Sequence, residues 1–132
     1  MAQTKKVNPW TWQDGFGFSQ AIDVRQGGRV LYCAGQTSVD ANGAPLHAGD
    51  MAAQLTQAFD NLETVLKAAG LTLGHVVRLN YYTRDVPAFL QAAGVYGARL
   101  QAAGAQPAGT LLGVASLFHP DTLVDIEATA VE

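Results

Sequence analysis

The last stretch of the chain, PAGTLLGVASLFHPDTLVDIEATAVE (residues 107–132), decides the fold class because it predicts two consecutive β-strands. The Pro107-Ala108 pair breaks any preceding helix and opens the first strand, which runs to Leu117. A turn at His119-Pro120-Asp121 separates this strand from a second one over 123–131. The chain therefore closes on a β-sheet.

The second of these strands has two chemically different faces, because side chains alternate along an extended backbone. One face is apolar and suits a core: Val124, Ile126, Ala128 and Ala130. The other face carries Asp125, Glu127 and Thr129. Two carboxylates at i and i+2 repel when they are poorly solvated, so one of them can keep a raised pKa and serve as an acid or base. The same pattern is also typical of the solvated face of an ordinary strand.

The composition predicts a single domain that associates with copies of itself. The chain has 132 residues, enough for one hydrophobic core, and we treat residues 1–15 as an N-terminal extension of that domain. Hydrophobic residues make up 48% of the sequence and charged residues only 14%, against about 25% in typical domains. Because the surface carries so few charges, we expect part of it to be buried between subunits.

The charge distribution argues against nucleic acid and membrane partners. The net charge is −3, and the eight Lys and Arg residues are scattered, whereas binding to a phosphate backbone needs a basic patch. No apolar run has the length of a transmembrane helix, and no signal peptide opens the chain. The single cysteine, Cys33, excludes an internal disulfide, and it fits a reducing cytoplasm.

Upstream of residue 50, the pattern predicts two strands joined by a tight turn. The first runs from Phe18 to Val24, Gln26-Gly27-Gly28 forms the hairpin turn, and the second covers Arg29–Gln36. The second strand is apolar on both faces, which predicts a central, covered position in the sheet.

The middle of the chain predicts two helices with a strand between them. Asp50 is a candidate N-cap, and the apolar stripe that follows is Leu55, Phe59, Leu62, Leu66 and Ala69. Gly70 then ends the first helix, Val76–Thr83 forms an inner strand, and a second helix starts at Asp85-Val86-Pro87 and ends at Gly104. Its predicted buried face is Phe89, Ala93, Tyr96 and Leu100. The fold class is therefore α+β, a mixed sheet with two helices packed on one face.

In this order and spacing, several short segments resemble the RidA/YjgF family. The matching segments are Cys33-Ala34-Gly35-Gln36, Asp60-Asn61-Leu62, Ala68-Ala69-Gly70-Leu71, Val76-Val77-Arg78, Thr83-Arg84-Asp85-Val86, Pro107-Ala108 and Asp125-Ile126-Glu127-Ala128. The resemblance covers the chain from about Phe16 to Val131. It implies a chorismate-mutase-like fold, a homotrimer, and a small-molecule cleft between adjacent subunits.

The family's best-known activity, hydrolysis of reactive imines and enamines to a ketone and ammonia, uses no cofactor. The resemblance implies that an arginine in the motif Pro-Ala-Arg-Ser/Thr binds the substrate carboxylate, as a planar guanidinium can. A carboxylate on the last strand, here Asp125, is implied to place or activate the attacking water. In this chain Gly109 occupies the arginine position, so carboxylate recognition loses a contribution of about 1.5–3 kcal/mol.

The other cleft positions that the resemblance implies are also less polar here. Phe18 replaces a tyrosine, Ala34 a serine, Ala93 an asparagine, Leu111 a cysteine and Asp125 a glutamate, which leaves Thr110 and Asp125 as the polar groups. We therefore expect a roomier, more apolar cleft and do not expect the usual 2-imino-acid deaminase activity. An endoribonuclease role is disfavoured by the acidic charge and the absence of a histidine pair in the sequence.

A few single residues have competing interpretations. Cys33 is either a nucleophile near the cleft or an inert small hydrophobic residue, and a lone cysteine on a covered strand favours the second. The histidines have no metal-site spacing, so no metal is expected. Tyr81 and Tyr82 fall on opposite strand faces, so at most one reaches a cleft. Arg78 or Arg84 could replace the missing cation, although pairing with surface carboxylates is the more ordinary use.

Three functions remain open at this point. The first is a cofactor-independent, deaminase-like hydrolase acting on imines, enamines or related carbonyl compounds without a carboxylate. In it, Asp125 positions a water and the backbone at Gly109 and Thr110 stabilises the developing charge. The second is a non-catalytic trimer that binds or senses a small molecule. The third is a chaperone-like trimer.

Overall fold

The computed structural model describes residues 3–25 and 27–132, and their strands and helices form an α+β fold. The strands are β1 (Gln3–Val7), β2 (Ala21–Arg25), β3 (Val30–Tyr32), β4 (Val76–Thr83), β5 (Leu111–Gly113) and β6 (Val124–Val131). The α-helices are α1 (Met51–Ala68), α2 (Val86–Gln91) and α3 (Ala93–Ala102). Single turns of 3-10 helix cover Asp14–Phe16 and Leu73–His75. No helix in the described part of the chain is long and apolar enough to cross a membrane.

The main sheet is mixed, as the sequence predicts, and has the order β3-β6-β4-β5. Strand β6 runs antiparallel to β3 and β4, and β5 runs parallel to β4. The predicted alternation of β6 is confirmed, because Val124, Ile126, Ala128 and Ala130 are buried. The helix α1 covers this face with side chains that are fully buried: Leu55, Phe59, Leu62 and Leu66.

The predicted ends of the first helix are confirmed. The Oδ1 atom of Asp50 accepts a hydrogen bond of 3.0 Å from the backbone N–H of Ala53, which caps the start of α1. At the other end, Gly70 has φ +78° and its N–H donates to the Lys67 carbonyl at 2.9 Å. Because the Leu71 N–H also donates to the Leu66 carbonyl at 2.9 Å, the helix ends in a Schellman motif.

The second predicted helix is two helices in the structure. Asp85 caps α2 as expected, but the backbone leaves the helical path at Ala92, where ψ is 14°. The rings of Phe89 and Tyr96 stack across this break, with their centroids 5.0 Å apart. Helical periodicity alone does not predict this contact. Phe89, Tyr96 and Leu100 are buried as predicted, whereas Ala93 is only half-buried.

The N-terminal strands differ from the prediction. Part of the expected extension is β1, which pairs antiparallel with β2, and the first of the two predicted strands begins at Ala21 rather than Phe18. The structure pairs β2 with β1 and β3 with β6, so the predicted pairing of the two strands is wrong. The proposed hairpin turn includes Gln26, which lies outside the described residues. The sequence of β1 lacks the apolar alternation that marks a strand, because all five of its residues are exposed and none needs to be apolar.

Strand β3 lies at an edge of the sheet, not at its centre. Only Val30–Tyr32 pairs as a strand, after which single backbone bonds continue the contact, such as Cys33 N–H to the Ala128 carbonyl at 2.8 Å. Tyr32 is 81% exposed, so the described residues leave the outer face of this edge uncovered. The long strand predicted over 107–117 is likewise reduced to Leu111–Gly113.

Candidate functional site

The segment before β5 lies unusually close to β4. Backbone N–H groups of Leu79 and Tyr81 donate to the carbonyls of Ala108 and Thr110, both at 2.8 Å. A Cβ atom on Gly109 would overlap the carbonyl oxygen of Leu79 and lie 3.0 Å from its carbonyl carbon. No side chain, an arginine included, fits at position 109 unless the backbone moves. The glycine identified from the sequence is therefore required by this strand contact.

Beside this contact, an apolar cavity of about 180 Å³ opens at the edge of the sheet. Its lining residues are Phe16, Gly17, Phe18, Leu79, Tyr81, Phe89, Leu90, Tyr96, Leu100, Pro107, Gly109, Thr110 and Leu111. These residues all belong to the described part of the chain, and none of them is charged. Four predicted cleft residues, Phe18, Gly109, Thr110 and Leu111, thus lie around one cavity. A site of this kind favours neutral ligands.

Tyr81 is one of the residues that line the cavity. Its ring packs against Phe89 and Tyr96, with centroid distances of 5.1 and 5.4 Å. Its hydroxyl oxygen is buried and has no hydrogen-bond partner within the described residues. Burial, with a smaller effect from Tyr96, raises the pKa of Tyr81 well above its usual range. The hydroxyl is therefore a neutral donor at physiological pH.

Asp125 lies on the other face of the sheet, away from the helices. Its carboxyl carbon would lie 2.9 Å from a Cβ on Gly35, so this glycine makes room for the carboxyl group. The Oδ1 atom is buried and unpartnered among the described residues. Burial, and secondarily the charge of Glu127, raises the pKa of Asp125 to about 6. A carboxyl group in this state can exchange a proton near neutral pH.

The groups around Asp125 form a polar surface. Glu127 accepts hydrogen bonds from the Tyr82 hydroxyl and, at 3.3 Å, from the Asn80 side-chain amide. Asn80 in turn accepts the backbone N–H of Thr110 at 3.1 Å, so this N–H is not free to stabilise charge on a substrate. Cys33 is buried beside this surface, and burial raises the pKa of its thiol, which disfavours the thiolate.

Within one chain, the predicted site residues lie in several places. Asp125 belongs to the outer side of the sheet and the cavity residues lie at its β5 edge, while Cys33 is in the hydrophobic core with Ala128 and Ala34 is exposed. Ala93 lies on α3 in a separate open hollow beside Phe16. A single site containing all of them would need a second subunit.

Neither candidate arginine lies at the cavity. Arg84 donates from its guanidinium to the carbonyl of Pro120 and, at 3.4 Å, to that of Thr122. Arg78 lies on the outer face with Asn80 and Glu127. Among residues 3–25 and 27–132, neither arginine forms an ion pair with a carboxylate, and no group of side chains there could hold a metal ion.

The inner wall of the cavity is formed by Tyr81, one of the two tyrosines that the sequence offered for a cleft, and by Leu79, Phe89 and Tyr96, which the sequence did not assign to a site. Leu79, Phe89 and Tyr96 show the strand or helical periodicity of ordinary core residues. The sequence signal that could have indicated this wall is Tyr81. A tyrosine on the core side of a strand must find a partner for its hydroxyl or leave it unpaired.

The mixed sheet with helices on one face, together with a small cavity at its edge, defines the class of chorismate-mutase-like α+β proteins. The sequence profile described as endoribonuclease L-PSP matches residues 15–132. The protein DfrA of Myxococcus xanthus is 34% identical over 114 residues, which cover 86% of this chain and 84% of that protein. The 2-iminobutanoate/2-iminopropanoate deaminase of Escherichia coli is 31% identical over 115 residues, 86% of each chain.

Among solved structures, YyfB from Yersinia pestis, a Rid family protein of unknown function, matches with a TM-score of 0.86. Its sequence is 36% identical, and the match covers 98% of both chains. The chain therefore belongs to the RidA/YjgF family, as its motifs predict.

Substitution of Gly109 tests the strand contact. We expect Gly109→Ala to lower the free energy of unfolding by about 1–3 kcal/mol, because the new methyl group must displace backbone. Gly97→Ala on α3 is the matched control, since its Cβ meets open space, and it should raise stability by about 0.5–1 kcal/mol. Urea denaturation followed by circular dichroism measures both. A Gly109→Ala variant as stable as the natural chain would contradict the contact.

The Asp125 carboxyl should titrate with a pKa of about 6, against 3.8 for the ordinary group. Glu127→Gln should lower this pKa only in part, because burial is the larger cause. Since the folded-state value is raised, the carboxyl's contribution to stability is full below pH 3.8 and is lost as pH rises through about 6. Carboxyl ¹³C NMR of the natural chain and the variant measures the shift, and a midpoint near the ordinary value would refute it.

Proposed function

We propose that the chain forms a homotrimer that binds and hydrolyses small neutral imines or enamines in clefts between its subunits. The observation that carries this proposal is Gly109, where the contact with Leu79 leaves no space for the arginine that the family resemblance implies. A substrate carboxylate thus lacks its cation, and the uncharged cavity beside Gly109 favours a substrate without one. The relatives named as 2-iminobutanoate/2-iminopropanoate deaminases support the C=N chemistry but not the substrate.

The proposed chemistry assigns the water to Asp125. With a pKa of about 6, this carboxyl is largely ionised at pH 7 and accepts a proton from water as the oxygen attacks the C=N carbon. The proton then passes to nitrogen, and collapse of the carbinolamine releases ammonia and leaves the carbonyl product. The step needs no cofactor. Because Asp125 and the cavity lie on different sides of one chain, the proposed cleft joins the cavity mouth of one subunit to the Asp125 face of the next.

The trimer is supported by uncovered apolar surface. Exposed large side chains occur on the β3 edge, on β5 and in the aromatic N-terminal segment: Val30, Tyr32, Leu112, Trp10, Trp12 and Phe16. Charged residues, at 14%, are too few to cover such a surface well. Burial of these side chains between subunits removes them from water. The cytoplasm remains the compartment we propose, on the ground of the single free cysteine.

A second candidate is a trimer that binds or senses the same neutral molecules without chemistry, or acts as a chaperone. The observation in its favour is the apolar lining of the cavity, which supplies affinity but no acid or base. The two candidates differ in whether Asp125 is needed for turnover.

A pair of imines that differ only in a carboxylate tests the proposal. A flavin amine oxidase makes the neutral imine from phenylethylamine, and a flavin amino-acid oxidase makes the corresponding imino acid from phenylalanine. We expect the natural chain to accelerate hydrolysis of the neutral imine at least tenfold more than that of the imino acid, because no cation balances the carboxylate. Semicarbazide traps the imine that remains, and the measurement is the rate at which imine is lost with the protein compared with the spontaneous rate.

In the same assay, Asp125→Asn should lose most of the acceleration, and Asp121→Asn, an exposed turn residue, should keep it. A preference for the imino acid would sink the substrate assignment. No acceleration of either imine would leave the non-catalytic function in its place.

Light scattering tests the trimer, which should have three times the 13.9 kDa mass of the chain. Tyr32→Lys should weaken it and shift the mass toward that of the monomer, because a buried lysine at the β3 edge is costly. Thr64→Lys on the exposed side of α1 is the matched control and should leave the mass unchanged. A natural chain that stays monomeric would refute the assembly.

A further inference from the structure

We propose that Tyr82 is a positioning residue for the proposed hydrolysis, because its hydroxyl holds the carboxylate of Glu127 beside Asp125. This inference deepens the proposed function and rests on it for the reaction in which Asp125 accepts a proton. The family resemblance assigns no role to Tyr82 or Glu127. The observations behind the inference are the register of β4 on β6 and the hydrogen bonds to one oxygen of Glu127.

The register of the sheet gathers polar side chains on its outer face. In the antiparallel pair of β4 and β6, Tyr82 lies opposite Asp125 and Asn80 lies opposite Glu127. Residues two apart on a strand point to the same side, so both donors share this face with both carboxylates. Tyr82 can therefore reach diagonally past Asp125 to the next carboxylate along β6.

Two neutral donors hold the same atom of Glu127. The Tyr82 hydroxyl donates to Oε1 at 2.5 Å, and the side-chain amide of Asn80 donates to it at 3.3 Å. Asn80 is itself fixed, because its Oδ1 atom accepts the backbone N–H of Thr110 at 3.1 Å. The hydrogen bond to Glu127 is the main cause that raises the pKa of Tyr82, so the hydroxyl keeps the proton that it donates. The shorter bond makes Tyr82 the principal donor.

These hydrogen bonds act against repulsion between two carboxylates. Asp125 and Glu127 lie on one face of β6, and two negative charges at close range disfavour each other. The long side chain of a half-buried glutamate turns its charge toward water when nothing holds it, and the bond from Tyr82 opposes this rotation. After burial, the charge of Glu127 is the second cause of the raised pKa of Asp125. Tyr82 thus helps to keep Asp125 a proton acceptor suited to neutral pH.

The other titratable and charged groups on this face, within the part of the chain that the structure describes, do not replace Glu127. Arg78 on β4 shares an open hollow with Glu127 but forms no ion pair with it. Its positive charge favours the ionised form of Asp125 and so acts in the opposite direction. Cys33, which follows β3, contributes no charge, because burial raises the pKa of its thiol. The negative charge that acts on Asp125 is therefore that of Glu127.

The titration of Asp125 tests the inference without requiring turnover. Carboxyl ¹³C NMR of the full chain should show its midpoint lower in Tyr82→Phe by about half a pH unit or more, because Glu127 can then turn away. Phenylalanine keeps the ring opposite Asp125, so we expect the variant to fold and to leave the burial of the carboxyl unchanged. Tyr32→Phe is the matched control and should not move the midpoint, since Tyr32 lines the same hollow as Glu127 without donating to it.

A double variant shows whether Tyr82 acts through Glu127. Glu127→Gln removes the charge itself and should lower the midpoint at least as far as Tyr82→Phe does. The two substitutions together should lower it no further than Glu127→Gln alone. In the imine assay, the acid limb of kcat/KM against pH should move in Tyr82→Phe by the same amount as the midpoint. A merely structural role lowers the rate without moving this limb.

The outcomes separate this inference from the proposed function. An unchanged midpoint in Tyr82→Phe, an equal fall in Tyr32→Phe, or a larger fall in the double variant than in Glu127→Gln would each overturn the inference. If the midpoint falls as expected but imine hydrolysis does not depend on Asp125, the hydrolytic function fails and the coupling of Tyr82 to Asp125 stands. If hydrolysis depends on Asp125 while Tyr82→Phe moves neither the midpoint nor the acid limb, the inference fails alone.

Discussion

The close backbone contact between residues 108–110 and β4 is the constraint on which the site depends. The hydrogen bonds that accept at Ala108 and Thr110 hold the segment against β4, and the Leu79 carbonyl then occupies the space of a side chain at 109. The strand contact thus requires a glycine at position 109, and a glycine supplies no cation to the site. The same contact forms one wall of the apolar cavity. One glycine therefore affects both the stability of the sheet edge and the class of ligand that the site accepts.

Strand β6 explains why the candidate groups divide between two surfaces. Its even-numbered residues bury against α1, and its odd-numbered carboxylates point to the opposite side. A strand can hold Asp125 rigidly in this way, with the carboxyl packed over Gly35, but it cannot also bring that carboxyl to the helix-facing cavity. The proposed trimer resolves this geometry, because a neighbouring chain can join what one chain keeps apart.

The sequence predicted the elements that carry their own periodicity and failed where pairing partners decide. The helix α1, with Asp50 and Gly70 at its ends, and the strands β4 and β6 follow from local patterns that the structure confirms. The edge position of β3, the pairing of β1 and the break at Ala92 depend on tertiary contacts that no local pattern contains. The Gly109 substitution was visible in the sequence, but its contact with Leu79 and the unpartnered Tyr81 hydroxyl required coordinates.

The loss of the arginine can be offset by the cavity in energetic terms. A charged hydrogen bond to a carboxylate contributes about 1.5–3 kcal/mol, and burial of an aromatic ring of 150 Å² contributes about 4 kcal/mol before entropy costs. In the proposed function, affinity thus comes from apolar burial, while Asp125 keeps its role with the water. The two parts of the site, ligand recognition and water activation, lie on different elements. Recognition can therefore change at Gly109 and Leu111 without altering the burial and the Glu127 charge that raise the pKa of Asp125.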